Sequence, residues 1–259
     1  MRDFWDELWR REREFYDSGK PEFRHETPFV SVSSIAGQYY CEFKAENEFA
    51  VGEIPTEAKT TGSQAHEDLI PLEAVSEEEF VRRVEGRTPS VGVIHLWGSV
   101  AGLKIVGTPD HITWRQGKPI WVVELKTTRS DPSPLWQDQE NQVRIYGLLL
   151  DLMGFDCSQM KLAVVRLKVG ELDERGRQEW TSRVTDALIS GKVGEFEAAH
   201  KGVAKVHVLD HRRNLAAEAV MAKAGYWLDE REAIPTTSVG RCRACEYNAM
   251  CMKSLYRRK

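Results

Sequence analysis

The chain has 259 residues, with 36 lysines and arginines against 40 aspartates and glutamates, for a net charge of −4. A hydrophobic share of 41% and a charged share of 29% are ordinary for a globular protein and provide a sizeable core, so one large domain, or one and a half, is expected. No apolar run approaches the ~20 residues of a membrane span, the acid-bearing opening lacks the apolar stretch of a secretory signal, and five cysteines make an odd set ill suited to a disulfide framework; a cytoplasmic protein is expected, and the acidic balance argues mildly against nucleic acid.

Phe4, Trp5, Leu8, Trp9, Phe15 and Tyr16 recur at helical spacing over residues 3–16, which predicts an amphipathic helix with an aromatic face. That face packs on the body of the domain in the plain reading and docks a partner in the sharper one. Gly19 and Pro21 end it. Ser33 or Ser34 is a candidate N-cap for a helix that carries Cys41 near its end. Thr60–Ala74 reads as a further helix, with Pro71 a kink or early stop and His66 beside Glu67 and Asp68. A lone helical histidine is more often structural or on the surface. Ser76-Glu-Glu-Glu79 is a capping box that opens a short helix ending near Gly86.

Strand character over Val91–Val100, Leu103–Trp114 and Pro119–Thr128, with Gly102 and Gly117 at the turns, predicts a three-stranded antiparallel meander. Trp136–Met153 is helical, with Ile145, Leu148, Leu149 and Leu152 on one face. Lys161–Val169 is a strand that a strand–helix–strand crossover sets beside the sheet. Thr181–Ala199 and Asn214–Leu228 are helical, the first weakened beyond Ser190 by Gly191 and Gly194. Arg241, Arg243, Lys253, Arg257, Arg258 and Lys259 face only Glu246 in the basic tail, which is either a local anion-binding surface or a frayed terminus. There is no internal repeat and no Gly-rich phosphate loop of the ATP-motor type.

The chemistry concentrates between Gly107 and Tyr146. Asp110 lies on one strand of the meander; Glu124 and Lys126 lie two apart on the next, so they share a face. Two carboxylates suit a hard divalent cation, and a nearby amine can hold a water or offset phosphate charge. Glu124-Leu-Lys126 alone is equally an ordinary solvated strand face. Gln142 and Tyr146, one helical turn apart, can bond a phosphate, position the lysine, or serve as a helix–sheet contact. Trp114 and Trp136 can stack bases or belong to the core. At the C-terminal end Cys242, Cys245 and Cys251 fall within ten residues, and Cys41 or Cys157 supplies a fourth thiol. Spacing alone leaves open an iron–sulfur cluster, a zinc site and unrelated cysteines.

Gly107-Thr-Pro-Asp110 followed by Glu124-Leu-Lys126 resembles the split core of the PD-(D/E)XK nucleases. Gln142-Val-Arg-Ile-Tyr146 and Gly62-Ser-Gln-Ala-His66 resemble the Gln-X3-Tyr and Gly…His motifs of their RecB-like branch. The cysteine spacing is similar to that of iron–sulfur nucleases, among them the AddB nuclease domain and a eukaryotic replication helicase–nuclease. The size favours the CRISPR-associated exonuclease family with one N-terminal and three C-terminal cysteines.

The resemblance implies an α/β (α+β) fold with a restriction-endonuclease-like core, a mixed central sheet flanked by helices. N- and C-terminal helical parts would be joined by a 4Fe–4S cluster on Cys41, Cys242, Cys245 and Cys251, leaving Cys157 over. The single nuclease domain would comprise a helical part at 1–88, a core at 89–170 and a helical part at 171–259. Asp110 and Glu124, with His66 and the Leu125 carbonyl, would bind Mg2+ or Mn2+. Lys126 would orient or deprotonate the attacking water, and Gln142 and Tyr146 would hold the substrate. The expected activity is exonucleolytic cleavage of single-stranded DNA, with an endonuclease activity beside it in some readings, serving CRISPR spacer acquisition beside integrase proteins; rings of copies are compatible with it. A repair or phage exonuclease outside CRISPR and a non-catalytic iron–sulfur DNA-binding subunit are the alternatives.

Overall fold

Two tight hairpins frame the core. The computed structural model describes residues 2–19, 22–56, 75–168 and 179–256; the expected helix at 60–74 with Pro71 and His66, and Arg257 to Lys259 of the basic tail, lie outside them. Strand β3 (Leu96–Val100) turns into β4 (Leu103–Gly107), and β5 (His111–Arg115) into β6 (Lys118–Thr128). Each turn has two central residues with positive φ: Ala101 (51°) and Gly102 (80°), then Gln116 (53°) and Gly117 (73°). That pairing is the mirror-image turn whose twist matches the strands it joins.

The expected meander is divided. Pairing passes from Leu96↔Gly107 to Gly92↔Ile112, so residues 93–95 on one side face 108–111 on the other. One extra residue enters beside Pro109, which has no N–H to give the ladder. The hairpin therefore crosses between two sheets. One is three-stranded, in the order β1-β4-β3, with β1 at Val30–Ser31; the other is five-stranded, in the order β2-β5-β6-β7-β8, with β2 at Ser90–Gly92, β7 at Lys161–Lys168 and β8 at Ala204–Asp210. β7 runs parallel to β6, as a crossover demands, and the other neighbours in that sheet are antiparallel.

The helices among the described residues are α1 (Arg2–Asp17), α2 (Val32–Gln38), α3 (Glu42–Val51), α4 (Glu77–Val84), α5 (Gln137–Met153), α6 (Trp180–Ser190), α7 (Val193–Ala199), α8 (Arg213–Trp227) and α9 (Val239–Ala244). None is long and apolar enough to cross a membrane. Ser76 caps α4 by accepting the Glu79 N–H, the cap its sequence announces. The expected helix over 181–199 breaks at Gly191 in the left-handed region (φ 71°) and becomes α6 and α7. The segment 30–51 departs from expectation. Ser31, not Ser33 or Ser34, caps α2, and Cys41 stands at the N-cap of α3 rather than within a helix.

α5 is the centre of the molecule. Val143, Ile145, Leu149 and Leu150 are fully buried all round it, so it packs on both sheets and on α2 and α8, where a single apolar face was expected. It covers the face of β6 and β7 that carries Val122 and Val164, while Val123, Leu125 and Val165 meet α6 and α7 on the other face. The aromatic face of α1 packs on this body: Trp5, Leu8 and Phe15 are buried, and Trp5 lies edge-on to Phe80 with its indole N–H donating to Glu85 at 3.0 Å.

Candidate active site

The break at Pro109 places Asp110. It stands one residue before β5, and extending the His111↔Val123 register by one sets it beside Glu124. Its Oδ2 accepts the Leu125 N–H at 2.5 Å, which turns the carboxylate toward β6. His111, next in the chain, is fully buried with neither ring nitrogen bonded; burial, opposed by Asp110, lowers its pKa to about 4, so it is neutral.

Glu124 and Lys126 alternate with the apolar Val123 and Leu125, so both rise from β6 under α5. Lys126 Nζ lies 2.7 Å from Glu124 Oε1 and donates to Gln142 Oε1 at 2.9 Å. Gln142 Nε2 in turn donates to the Tyr146 hydroxyl at 3.2 Å. Glu124 is only 3% exposed, which removes the reading of an ordinary solvated strand face. Gln142 and Tyr146 are buried too, and their bonds run to Lys126 and to each other. Of the roles open to them from sequence, the geometry serves the positioning of the lysine.

Burial alone would lower the Lys126 pKa, but Glu124, then Asp110 and Asp138, hold its ammonium above the ordinary value. Burial pushes the Tyr146 phenol up, with Glu124 and Asp110 adding to it against the Gln142 bond, so it stays a neutral partner. Two features escaped the sequence reading. Asp138 lies one turn before Gln142 and acts on Lys126; its spacing of four from Gln142, and of four again to Tyr146, was the available signal. Gly107 gives Tyr146 its room, because a Cβ there would meet Tyr146 Cε1 at 3.0 Å and Val32 Cγ2 at 2.8 Å.

Asp110 and Glu124, side by side in the register, are the hard carboxylate donors that suit Mg2+ or Mn2+, which takes one or two carboxylates and keeps several waters. Among the described residues no three His, Cys, Asp or Glu side chains gather into a metal-holding group, and His66 lies outside those residues. Trp114 is fully buried in the core with its N–H on the Gly92 carbonyl, which excludes it as a stacking platform; Trp136 is 48% exposed at the start of α5.

Of the two candidates that spacing left open, Cys41 and not Cys157 lies beside the C-terminal cysteines. Cys41, Cys242, Cys245 and Cys251 line one small pocket between the start of α3 and the α9 region. The backbone N–H groups of Thr236 and Leu255 donate to Cys41 Sγ and Cys242 Sγ at 3.4 and 3.5 Å. The four residues border a shared space, and among the described residues they do not form a metal-holding group. The pocket is held shut by the C-terminal segment: Arg241 donates to the Tyr39 and Tyr40 carbonyls and Tyr247 to the Gly52 carbonyl. Cys157 is buried elsewhere, its thiol pushed up by burial and by Asp151.

A family model described as the PD-(D/E)XK nuclease superfamily matches residues 24–252. No curated protein matches the chain. Among solved structures, the crystal structure of SSO0001 superposes with a TM-score of 0.50 at 16% identity, covering 96% of each chain. At that identity the likeness speaks for the fold.

Proposed function

We propose that this chain, which belongs to the PD-(D/E)XK nuclease superfamily, is a metal-dependent exonuclease acting on single-stranded DNA. The observation that carries the reading is the unbroken run from Glu124 through Lys126 and Gln142 to Tyr146, with Asp110 fastened beside it. A divalent cation held by Asp110 and Glu124 would supply Lewis-acid polarisation of the phosphoryl oxygen and a more acidic water. Lys126 orients that water and offsets charge on the phosphate. Gln142 accepts from the ammonium beside Glu124, and Tyr146 accepts from Gln142. The exposed Trp136 ring offers a stacking surface at the edge of the site.

The finer reading adds a 4Fe–4S cluster on Cys41, Cys242, Cys245 and Cys251. It is supported by the spacing of these cysteines and by the pocket they share. Its part would be to staple α3 to the C-terminal segment. Trimming of DNA ends for CRISPR integrase proteins follows from the sequence resemblance alone. The test is cleavage of end-labelled single-stranded DNA by anaerobically purified protein, with Mn2+, with EDTA and with Lys126→Ala. Metal-dependent degradation that the variant lacks is expected. A folded wild type that leaves the DNA intact in Mn2+ overturns the enzyme reading.

A further inference from the structure

Arg166 stands on β7 directly beside Lys126 on β6. Their side chains leave the same face of the sheet from backbones about 4.8 Å apart. Arg166 is only 4% exposed. Its Nη1 donates to the Pro134 carbonyl, and its Nε is buried with no hydrogen-bond partner. Asp131 and Asp138 attract it without bonding to it among the described residues, and burial pulls its pKa below the ordinary value in spite of them. The neighbour on its other side differs: Lys205, opposite Arg166 on β8, is already paired with Glu197 at 2.8 Å.

A guanidinium buried with spare donors is destabilising unless something offsets it. What lies next to it is suited to an anion. Pro134, which Arg166 reaches, leads directly into α5, a helix of 17 residues whose N-cap Trp136 makes no side-chain cap. The first N–H groups of such a helix lack partners and carry its positive end.

We propose that Arg166 and the first turn of α5 form an anion site for a phosphate of the substrate strand, next to the phosphodiester handled by Asp110, Glu124 and Lys126. The proposal rests on the nuclease reading above. The strand then runs across β6 and β7 toward the exposed Trp136. Asp131 and Asp138 offset part of the cost of burying the guanidinium before a phosphate arrives, and the spare Nε remains for the phosphate oxygen.

The experiment is the salt dependence of binding to a fluorescent single-stranded oligonucleotide in EDTA, read by anisotropy. Arg166→Met is expected to bind about tenfold more weakly, as for a lost charged hydrogen bond, and to reduce the log–log salt slope by about 0.7, the share of one phosphate contact. It should melt close to the wild type, because losing the Pro134 bond is offset by removing a buried charge with an unpaired Nε. Arg166→Lys is expected to keep the slope but recover only part of the affinity, since it lacks the planar fork. An unchanged slope in folded Arg166→Met overturns the inference, and so does a wild type that fails to bind. Should Arg166→Met not fold, wild-type affinity in Arg166→Lys refutes it. Cleavage in Mn2+ is scored separately. A wild type that binds and shows the slope difference but does not cut removes the nuclease reading while supporting the anion site.

Discussion

Replacing Gly107 with alanine tests whether the site depends on close approach at one point. The added Cβ would meet Val32 Cγ2 at 2.8 Å and Tyr146 Cε1 at 3.0 Å, well inside the 3.4 Å at which ordinary contact begins. Val32 and Tyr146 are both buried and cannot swing into solvent. Overpacking of this kind costs about 1–3 kcal/mol. For a chain of this size each kcal/mol lowers the melting temperature by about 2–4 °C. Tyr146 must also shift, and its hydroxyl holds Gln142, which holds Lys126. A misplacement of ~1 Å can cost ~100-fold in rate, so a smaller shift should cost about tenfold in Mn2+-dependent cleavage. Gly37→Ala is the control, since no atom lies within 4 Å of its Cβ position in α2 and a helical alanine is favoured. Thermal melts and single-turnover cleavage decide the matter. If Gly107→Ala melts and cuts like the control, the idea that Tyr146 is set by packing against this glycine is wrong.

Three further outcomes are expected. Glu42 is buried and accepts two Arg231 bonds at 2.7 and 2.8 Å and the Ile234 N–H at 2.7 Å, so Glu42→Gln should lose about 3–5 kcal/mol in denaturant unfolding. Burial opposes the charge, but Arg231, Ile234 and Lys223 hold the Glu42 pKa below its ordinary 4.5; its contribution is therefore complete above that pH and is lost only as pH falls through the lowered value, and a variant difference that vanishes already at pH 6 contradicts this. Trp5→Ala should cost about 3–5 kcal/mol, as a core aromatic does; wild-type stability would return the α1 face to the role of a docking surface. Serine at Cys41, Cys242, Cys245 or Cys251 should remove the broad absorbance near ~400 nm of anaerobic protein while Cys157→Ser retains it, and a colourless, zinc-containing wild type would refute the iron–sulfur assignment.

The local signals in the sequence carried far where one residue type dictates one conformation. Gly102 and Gly117 marked both hairpin turns, Ser76 marked a cap, and the apolar run in Trp136–Met153 marked α5. What stayed hidden depends on partners distant in the chain. Pro109 was visible, but that the strand would change sheets there follows from the unequal lengths of two facing segments. Strand β8 escaped because Lys205, His207 and Asp210 interrupt its apolar residues, as an edge strand allows. At the site, Asp110, Glu124, Lys126, Gln142 and Tyr146 were legible as a pattern. The direction of the Gln142 and Tyr146 bonds was not, nor was the burial of Arg166, because both are set by how α5 lies across the sheet.

The two chemical centres differ in how far the chain must travel to build them. The bonds that fix the acidic site join residues only 15 and 16 apart, Asp110 to Leu125 and Lys126 to Gln142. The bonds that close the thiol pocket join residues 195 and 201 apart, Cys41 to Thr236 and Tyr40 to Arg241. Loop-closure entropy makes the longer connection costlier by about 2.3 kcal/mol per closure before any contact compensates. The short closures of the acidic site can therefore form before the thiol pocket, which is completed only when nearly the whole chain is in place, although α5 still needs α2 and α8 to cover it. The thiol pocket thus needs both ends of the chain, since Cys242, Cys245 and Cys251 lie within the last twenty residues.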